Sequence, residues 1–257
     1  MSLLEIHDWH AWAPGMDSSE KWLDWAESST TSELGDVPES AATVPSLSHL
    51  PPISRRRLSQ LSKMVLEVGH QVLQDKGSMK LIFCSRFGEI VQQNKITKRL
   101  IEEGDVRPAS FSLSVFNTPV SLLSIHENIK ESISVLLSGD HCLMSGFASL
   151  IAQLKKKPEE PCLIVFADEA LPEEYRELTY LNGKAYAFAF IVSLVQESST
   201  GLSFSFTSSG DSGDSGIEPD HPLDFLRWYL RKAENNFFIR QDCISLKLSS
   251  RCCGHSS

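Results

Sequence analysis

Ser132-Ile-Ser-Val-Leu-Leu-Ser-Gly-Asp-His-Cys142 is the stretch on which the fold turns. Ile133–Leu137 is a short apolar, partly β-branched run that reads as a buried, central strand. Ser138-Gly139 signals a turn, and from Asp140 onward Leu143, Phe147, Leu150, Ile151 and Leu154 recur at helical spacing. A sharp strand-to-helix turn exposes one side chain beside unpaired backbone N–H groups, and many α/β enzymes place a nucleophile there. In this chain the strand ends in Leu137, which cannot attack anything.

Working outward, Cys162–Ala167 is a continuous apolar run suited to a strand covered on both faces, and Met79–Cys84 is a similar shorter one. Helical patterns lie between the strands. Ser54 reads as the cap of a helix carrying Leu58, Leu61, Val65, Val68 and Val72 on one face and ending near Lys76-Gly77. Glu89–Glu103 is a second helix closed by Gly104. Asn117 caps a third with Pro119 in its first turn, turning Leu122, Leu123 and Ile125 inward. Before it, Pro108–Phe116 alternates Ser with apolar residues and reads as extended. His221–Glu234 is a last helix, with Leu223, Leu226, Trp228 and Leu230 to pack. Ile239–Leu248 reads as an edge strand.

Ala185–Val195 and Leu202–Phe206 alternate as two strands paired with each other. Trp9, Trp12, Trp22 and Trp25, split by Pro14-Gly15, favour aromatic packing of an N-terminal strand and short helix over a ligand cluster. The whole is a layered α/β fold, read as one unit over residues 1–257. Residues 28–52, rich in Ser, Thr, Glu and Pro, read as an exposed loop; 208–220 as a flexible linker; 249–257 as a disordered tail.

A net charge of −9 over 257 residues argues against nucleic acid as the main partner, because backbone binding needs clustered Lys and Arg. The dense basic run Arg55-Arg56-Arg57 reads as a solvated or partner-facing edge. No apolar run approaches the ~20 residues of a membrane span, and no signal region opens the chain, so a cytoplasmic protein is expected. The six cysteines form no CxxC pair, and His7 and His10 lack a carboxylate–histidine motif. Neither a metal nor any other cofactor is expected. Gly210-Asp211-Ser212-Gly213 imitates a serine-protease turn, but no strand precedes it. Arg86 and Glu89 read as a loop-to-helix ion pair, and Asp168-Glu169 as a solvated loop rather than an acid/base pair.

Pro51-Pro-Ile-Ser-Arg-Arg-Arg-Leu58, Cys84-Ser-Arg-Phe-Gly-Glu89 and Pro108-Ala-Ser-Phe-Ser-Leu-Ser-Val-Phe-Asn117, in that order, resemble the short β-ketoacyl-synthase-like proteins. Trp9-His-Ala-Trp-Ala-Pro-Gly15 and Pro222-Leu-Asp-Phe-Leu-Arg-Trp228 resemble the same family. These are similar to the N-terminal half of a condensing enzyme, and some act as chain-length factors in aryl-polyene biosynthesis. The resemblance implies a thiolase-like half-fold, a single layered α/β/α unit with a mixed central sheet. It implies that Leu137 stands where a condensing enzyme carries its acyl-accepting cysteine, while the catalytic histidines belong to a C-terminal half. Decarboxylative condensation needs both a thiolate and imidazole donors.

By the same resemblance Ile133, Val135 and Leu136 form the strand that pairs across a dimer axis. Ser110, Phe111, Ser114, Phe116 and Asn117 face the partner's acyl tunnel, Phe116 standing where His is common in the family. Leu136 and Leu137 fill this subunit's own pocket. The expected protein is a non-catalytic chain-length-factor subunit, its partners a full-length ketosynthase and an acyl carrier protein. Two alternatives remain. One is a stand-alone acyltransferase or thioesterase using Cys142 with His141 or His126, although neighbours on a helix point about 100° apart. The other is a carrier-binding scaffold using Arg55–Arg57 and Lys155–Lys157.

Overall fold

The computed structural model describes residues 2–28, 34, 42–176, 184–196, 201–208, 216–217 and 221–251. The elements in chain order are β1 (Leu3–Trp12), α1 (Ser19–Ser28), α2 (Pro52–Arg55), α3 (Gln60–Leu73), β2 (Lys80–Ser85), α4 (Ile90–Glu103), α5 (Pro108–Ser112), α6 (Thr118–His126) and β3 (Ile133–Leu137). They continue with α7 (Cys142–Lys156), β4 (Cys162–Asp168), α8 (Glu173–Arg176), β5 (Tyr186–Val195), β6 (Gly201–Ser208), α9 (Pro222–Leu230), β7 (Phe237–Gln241) and β8 (Ile244–Arg251).

The strands form one mixed sheet in the order β3-β2-β4-β5-β1-β6-β8-β7. β2 runs parallel to both β3 and β4, and every other pairing is antiparallel. Helices α1, α7 and α9 cover one face and α3 and α6 the other, giving the α/β/α layering expected from the resemblance. The pleat of β5 sorts its side chains by size. Tyr186, Phe188, Phe190 and Val192 enter the α7/α9 side, while Ala187 and Ala189 leave room for α3. Phe166, Phe188, Phe190 and Phe225 continue the large-side stack at ring separations of 5.1 to 5.7 Å, each pair contributing roughly 0.5–1.5 kcal/mol beyond area burial. On the other face a Cβ at Gly69 of α3 would lie 2.5 Å from the Leu123 side chain of α6, so Leu123 packs directly on the α3 backbone.

Several expectations are corrected. β3 is an edge strand with half-buried residues, because the connection through α7 carries the chain past β2 before β4 joins the sheet. The 54–72 helix is two pieces. Ser59, not Ser54, caps α3 by accepting the Ser62 N–H at 2.9 Å. Pro108–Phe116 is not extended: Pro108 opens the short helix α5, and Ser112 and Ser114 donate to the carbonyls of Pro108 and Phe111, so the serines close local turns. Ile125 is 74% exposed rather than inward.

β5 and β6 do not pair with each other, because β1 lies between them. Residues 237–251 form a hairpin turning at Asp242, φ 49°, rather than one edge strand. Leu47 and Leu50, inside the expected exposed loop, are buried against α3 with the α3-side core. The expected tail is strand as far as Arg251; residues 252–257 lie outside the described residues, as do 209–215 and 218–220 of the expected linker. Ile217 bridges to Phe237.

Candidate functional site

The C-terminal ends of the three parallel strands converge on the loop Ser85–Glu89. Asp168, at the end of β4, organises it. Its Oδ1 accepts from Ser85 Oγ (2.7 Å), Arg86 N (2.8 Å) and Phe87 N (3.1 Å), and its Oδ2 from Tyr186 OH (2.8 Å). Ser85 Oγ in turn accepts the Gly88 N–H at 2.8 Å, closing a tight turn that holds Gly88 at φ +60°. Burial pushes the Asp168 carboxyl above its ordinary value against the pull of these donors. The expected solvated Asp168-Glu169 loop is corrected: both side chains are buried, because the strand end continues inside the core and the 85–91 backbone supplies donors to them.

Arg86 does not pair with Glu89. Its guanidinium lies over the Phe87 ring and donates to Asp140 Oδ1 at 3.1 Å, tying the loop to the turn after β3. Glu89 instead accepts from Ser59 Oγ (2.7 Å) and Ser62 Oγ (2.8 Å) of α3.

In the strand-to-helix turn, Gly139 sits at φ +53°, Gly139–His141 form one 3₁₀ turn, and α7 begins at Cys142. A cavity of about 40 Å³ lies beside it, lined among others by Arg86, Asp140, His141, His221 and Arg240; neither Leu137 nor Cys142 reaches it. Cys142 is 1% exposed. Hydrogen bonding to the adjacent Cys84, then burial, pushes its thiol well above the ordinary value, so no thiolate forms there near neutral pH. His141 lies exposed and His221 caps α9. Burial and then Arg86 lower His221 to about 3, and its neutral Nδ1 accepts the Leu223 N–H. Among the described residues, no group of three or more His, Cys, Asp or Glu is placed to hold a metal ion, and no helix is long and apolar enough to cross a membrane.

Leu137 is 40% exposed, so it does not fill a pocket of its own subunit as expected; Leu136 is half-buried against the α7-side core. A Cβ on Gly88 would stand 3.2 Å from both Leu137 and Phe116, which places these two side chains against the same spot of the loop. Phe116 is 45% and Phe111 59% exposed, and Val115 and Asn117 are exposed beside them. Ser110 is half-buried, whereas Ser114 is buried and its carbonyl accepts from Gln93 Nε2 at 3.1 Å.

Along β3, Ser132 O accepts the Leu81 N–H. In a parallel ladder that bond turns the polar backbone of Ser134 and Leu136 toward β2, and that of Ile133 and Val135 away from it. Among the described residues no strand occupies that outer side. Arg55 is held by the Ser46 carbonyl (2.8 Å), and Arg56 and Arg57 are exposed. The Asp168 anchor and the Glu89 and Glu169 burial escaped the sequence reading, because a carboxylate directly after a buried strand looks the same whether it meets water or a loop's N–H groups.

The family model for the β-ketoacyl synthase, N-terminal domain, matches residues 22–242. The chain belongs to that family. A sequence comparison with curated proteins found no match. Among solved structures, this ketosynthase-type half-fold superposes on a chain of the ketosynthase ApeO in complex with its chain length factor ApeC from Xenorhabdus doucetiae. The TM-score there is 0.78 and the identity 24%, covering 96% of this chain and 99% of that one. It superposes on a chain of the ishigamide ketosynthase/chain length factor at TM-score 0.69 and 10% identity, covering 98% and 100%. Against the ketosynthase from module 1 of the bacillaene synthase of Bacillus amyloliquefaciens FZB42 the TM-score is 0.56 at 13% identity. That match spans 83% of this chain but 47% of the other.

Proposed function

We propose that this β-ketoacyl-synthase-type chain is a non-catalytic, chain-length-factor subunit. It pairs with a full-length ketosynthase and shapes the tunnel in which a carrier-bound polyene or fatty acyl chain grows. The observation that carries the reading is the outer side of β3. Its Ile133 and Val135 backbone faces away from the sheet with no strand beside it among the described residues, and apolar Phe111, Val115, Phe116 and Leu137 are exposed on the same part of the fold. An uncovered strand edge with apolar neighbours is a template for a second chain. The fold likeness to chains of two ketosynthase/chain length factor assemblies supports the same reading.

Catalysis is absent from this reading because the turn supplies no sulfur. Between Leu137 and His141 no residue is a cysteine, and Cys142 is buried, its thiol pushed well above the ordinary value by the Cys84 hydrogen bond and then burial. The carry-over of the nucleophile position to Leu137, the tunnel roles of Ser110, Phe111, Phe116 and Asn117, and docking of an acidic carrier protein on Arg55–Arg57 belong to the proposal. Ser114, bonded into its own chain, acts there as a support for Phe111 rather than as a lining residue. Co-expression of this chain with a full-length ketosynthase tests the reading. A stable one-to-one complex on size-exclusion chromatography is expected, and two separate peaks at micromolar concentration overturn it.

A further inference from the structure

The starts of α3 and α4 and the end of β4 meet around two carboxyl groups that the proposed function does not use. Glu89 is wholly buried. Its Oε1 takes both serine hydroxyls of α3, while its Oε2 has no hydrogen-bond partner and no contact with solvent. Glu169, also buried, accepts the Val91 N–H at 3.1 Å through Oε1 and a further bond from the Leu61 backbone. The charged neighbours are few. Lys95 of α4 is exposed, and the Asp168 carboxylate is turned to Ser85, Arg86, Phe87 and Tyr186. Two buried anions, one with an orphan oxygen, are costly, and a single proton on the pair removes one of the two charges.

We propose that one of the two carboxyls in this buried Glu89/Glu169 cluster is protonated at neutral pH, and that losing that proton loosens the start of α4 from α3 and the end of β4. Burial and then the Glu89 charge raise Glu169 to about 7, and burial raises Glu89 as well. The proton matters because α4 has no buried residue of its own. Among the described residues, its other side-chain hydrogen bonds to neighbouring elements are those of Gln93 to Ser114 and of exposed Asn94 and Lys98 to Glu174. If the reading of the β3 face as a partner surface is right, loosening α4 also releases the Ser114 support beneath Phe111.

The test uses the full chain without any partner, so it stands apart from the partner reading. Carbon-13 carboxyl shifts of glutamate-labelled protein should show one glutamate titrating near pH 7, a resonance absent in Glu169→Gln. Its midpoint should fall in Glu89→Gln. Hydrogen-exchange protection of the first turn of α4, corrected for intrinsic rates, should drop about tenfold from pH 6 to 8 in the wild type and stay level in Glu169→Gln, whose amide mimics the protonated acid. Titration of every glutamate below about pH 5.5 overturns the proposal. So does recovery of the lost protection by millimolar magnesium at constant ionic strength, which would make the pair a cation site. The wild-type titration decides the matter even where a variant fails to fold.

Discussion

Asp168→Ala removes the carboxylate that anchors the 85–88 turn. Four donors lose their partner, from Ser85, Arg86, Phe87 and Tyr186. The two hydroxyls can rotate toward other acceptors, but the Arg86 and Phe87 N–H groups are fixed by the turn. Each buried donor left unsatisfied costs about 1–3 kcal/mol, and the relief of no longer burying a carboxylate offsets part of that, so the net loss is about 3 kcal/mol. Asp168→Asn keeps the Oδ1 acceptor for three of the four donors and should cost about 1 kcal/mol. Urea unfolding followed by far-ultraviolet circular dichroism measures both, with an unchanged urea dependence required for the comparison. A loss below about 1 kcal/mol for Asp168→Ala would refute the claim that this carboxylate holds the loop.

Val135→Pro should leave the fold intact, since its N–H points away from β2, yet lower ketosynthase binding at least about tenfold, measured by calorimetry; Ser134→Pro, which breaks the β2 ladder, should instead destabilise the chain. With Cys243, Cys252 and Cys253 replaced by Ser, a thiol reagent at neutral pH should leave Cys84, Cys142 and Cys162 unmodified for hours, while rapid stoichiometric labelling of Cys142 would restore the stand-alone enzyme reading. His221 has a folded-state value of about 3 against 6.5 when unfolded, so the unfolded chain binds the extra proton, and stability falls as pH drops from 6.5 toward 3. The loss reaches about 2 kcal/mol, discounted because the ring is partly exposed, and His221→Asn, which keeps a capping side chain, should abolish it in acid unfolding curves. Phe111→Ala, opening the proposed tunnel end, should lengthen the products of the reconstituted pair by mass spectrometry without changing complex formation.

The central strands were legible because their residues are apolar on both faces. Cys162–Ala167 and Met79–Cys84 differ from β4 and β2 by a residue or two. The α7 face was legible from its spacing, and Gly104 closes α4 as expected, at φ +70°. β3 misled because Ile-Ser-Val-Leu-Leu carries enough apolar surface for a buried strand, and the sequence does not say whether a second chain or the same one covers it. The order of β5, β1 and β6 was hidden for a related reason. Alternation fixes which face a residue takes but not which strand lies beside it. The serines of 108–116 looked like the polar face of a strand, although their hydroxyls bond back to nearby carbonyls. The buried acids were illegible because their partners, backbone N–H groups of residues 86, 87 and 91, leave no mark in side-chain identity.

The role proposed for this chain is to lend shape rather than chemistry to a ketosynthase. The most direct measurement is the product-length distribution of a full-length ketosynthase, supplied with loaded carrier protein, with and without an equimolar amount of this chain. A narrowed or shifted distribution that persists with Cys142→Ala, and no turnover by this chain alone, is the predicted result. An unchanged distribution, or acyl transfer by the isolated chain that Cys142→Ala abolishes, would contradict it.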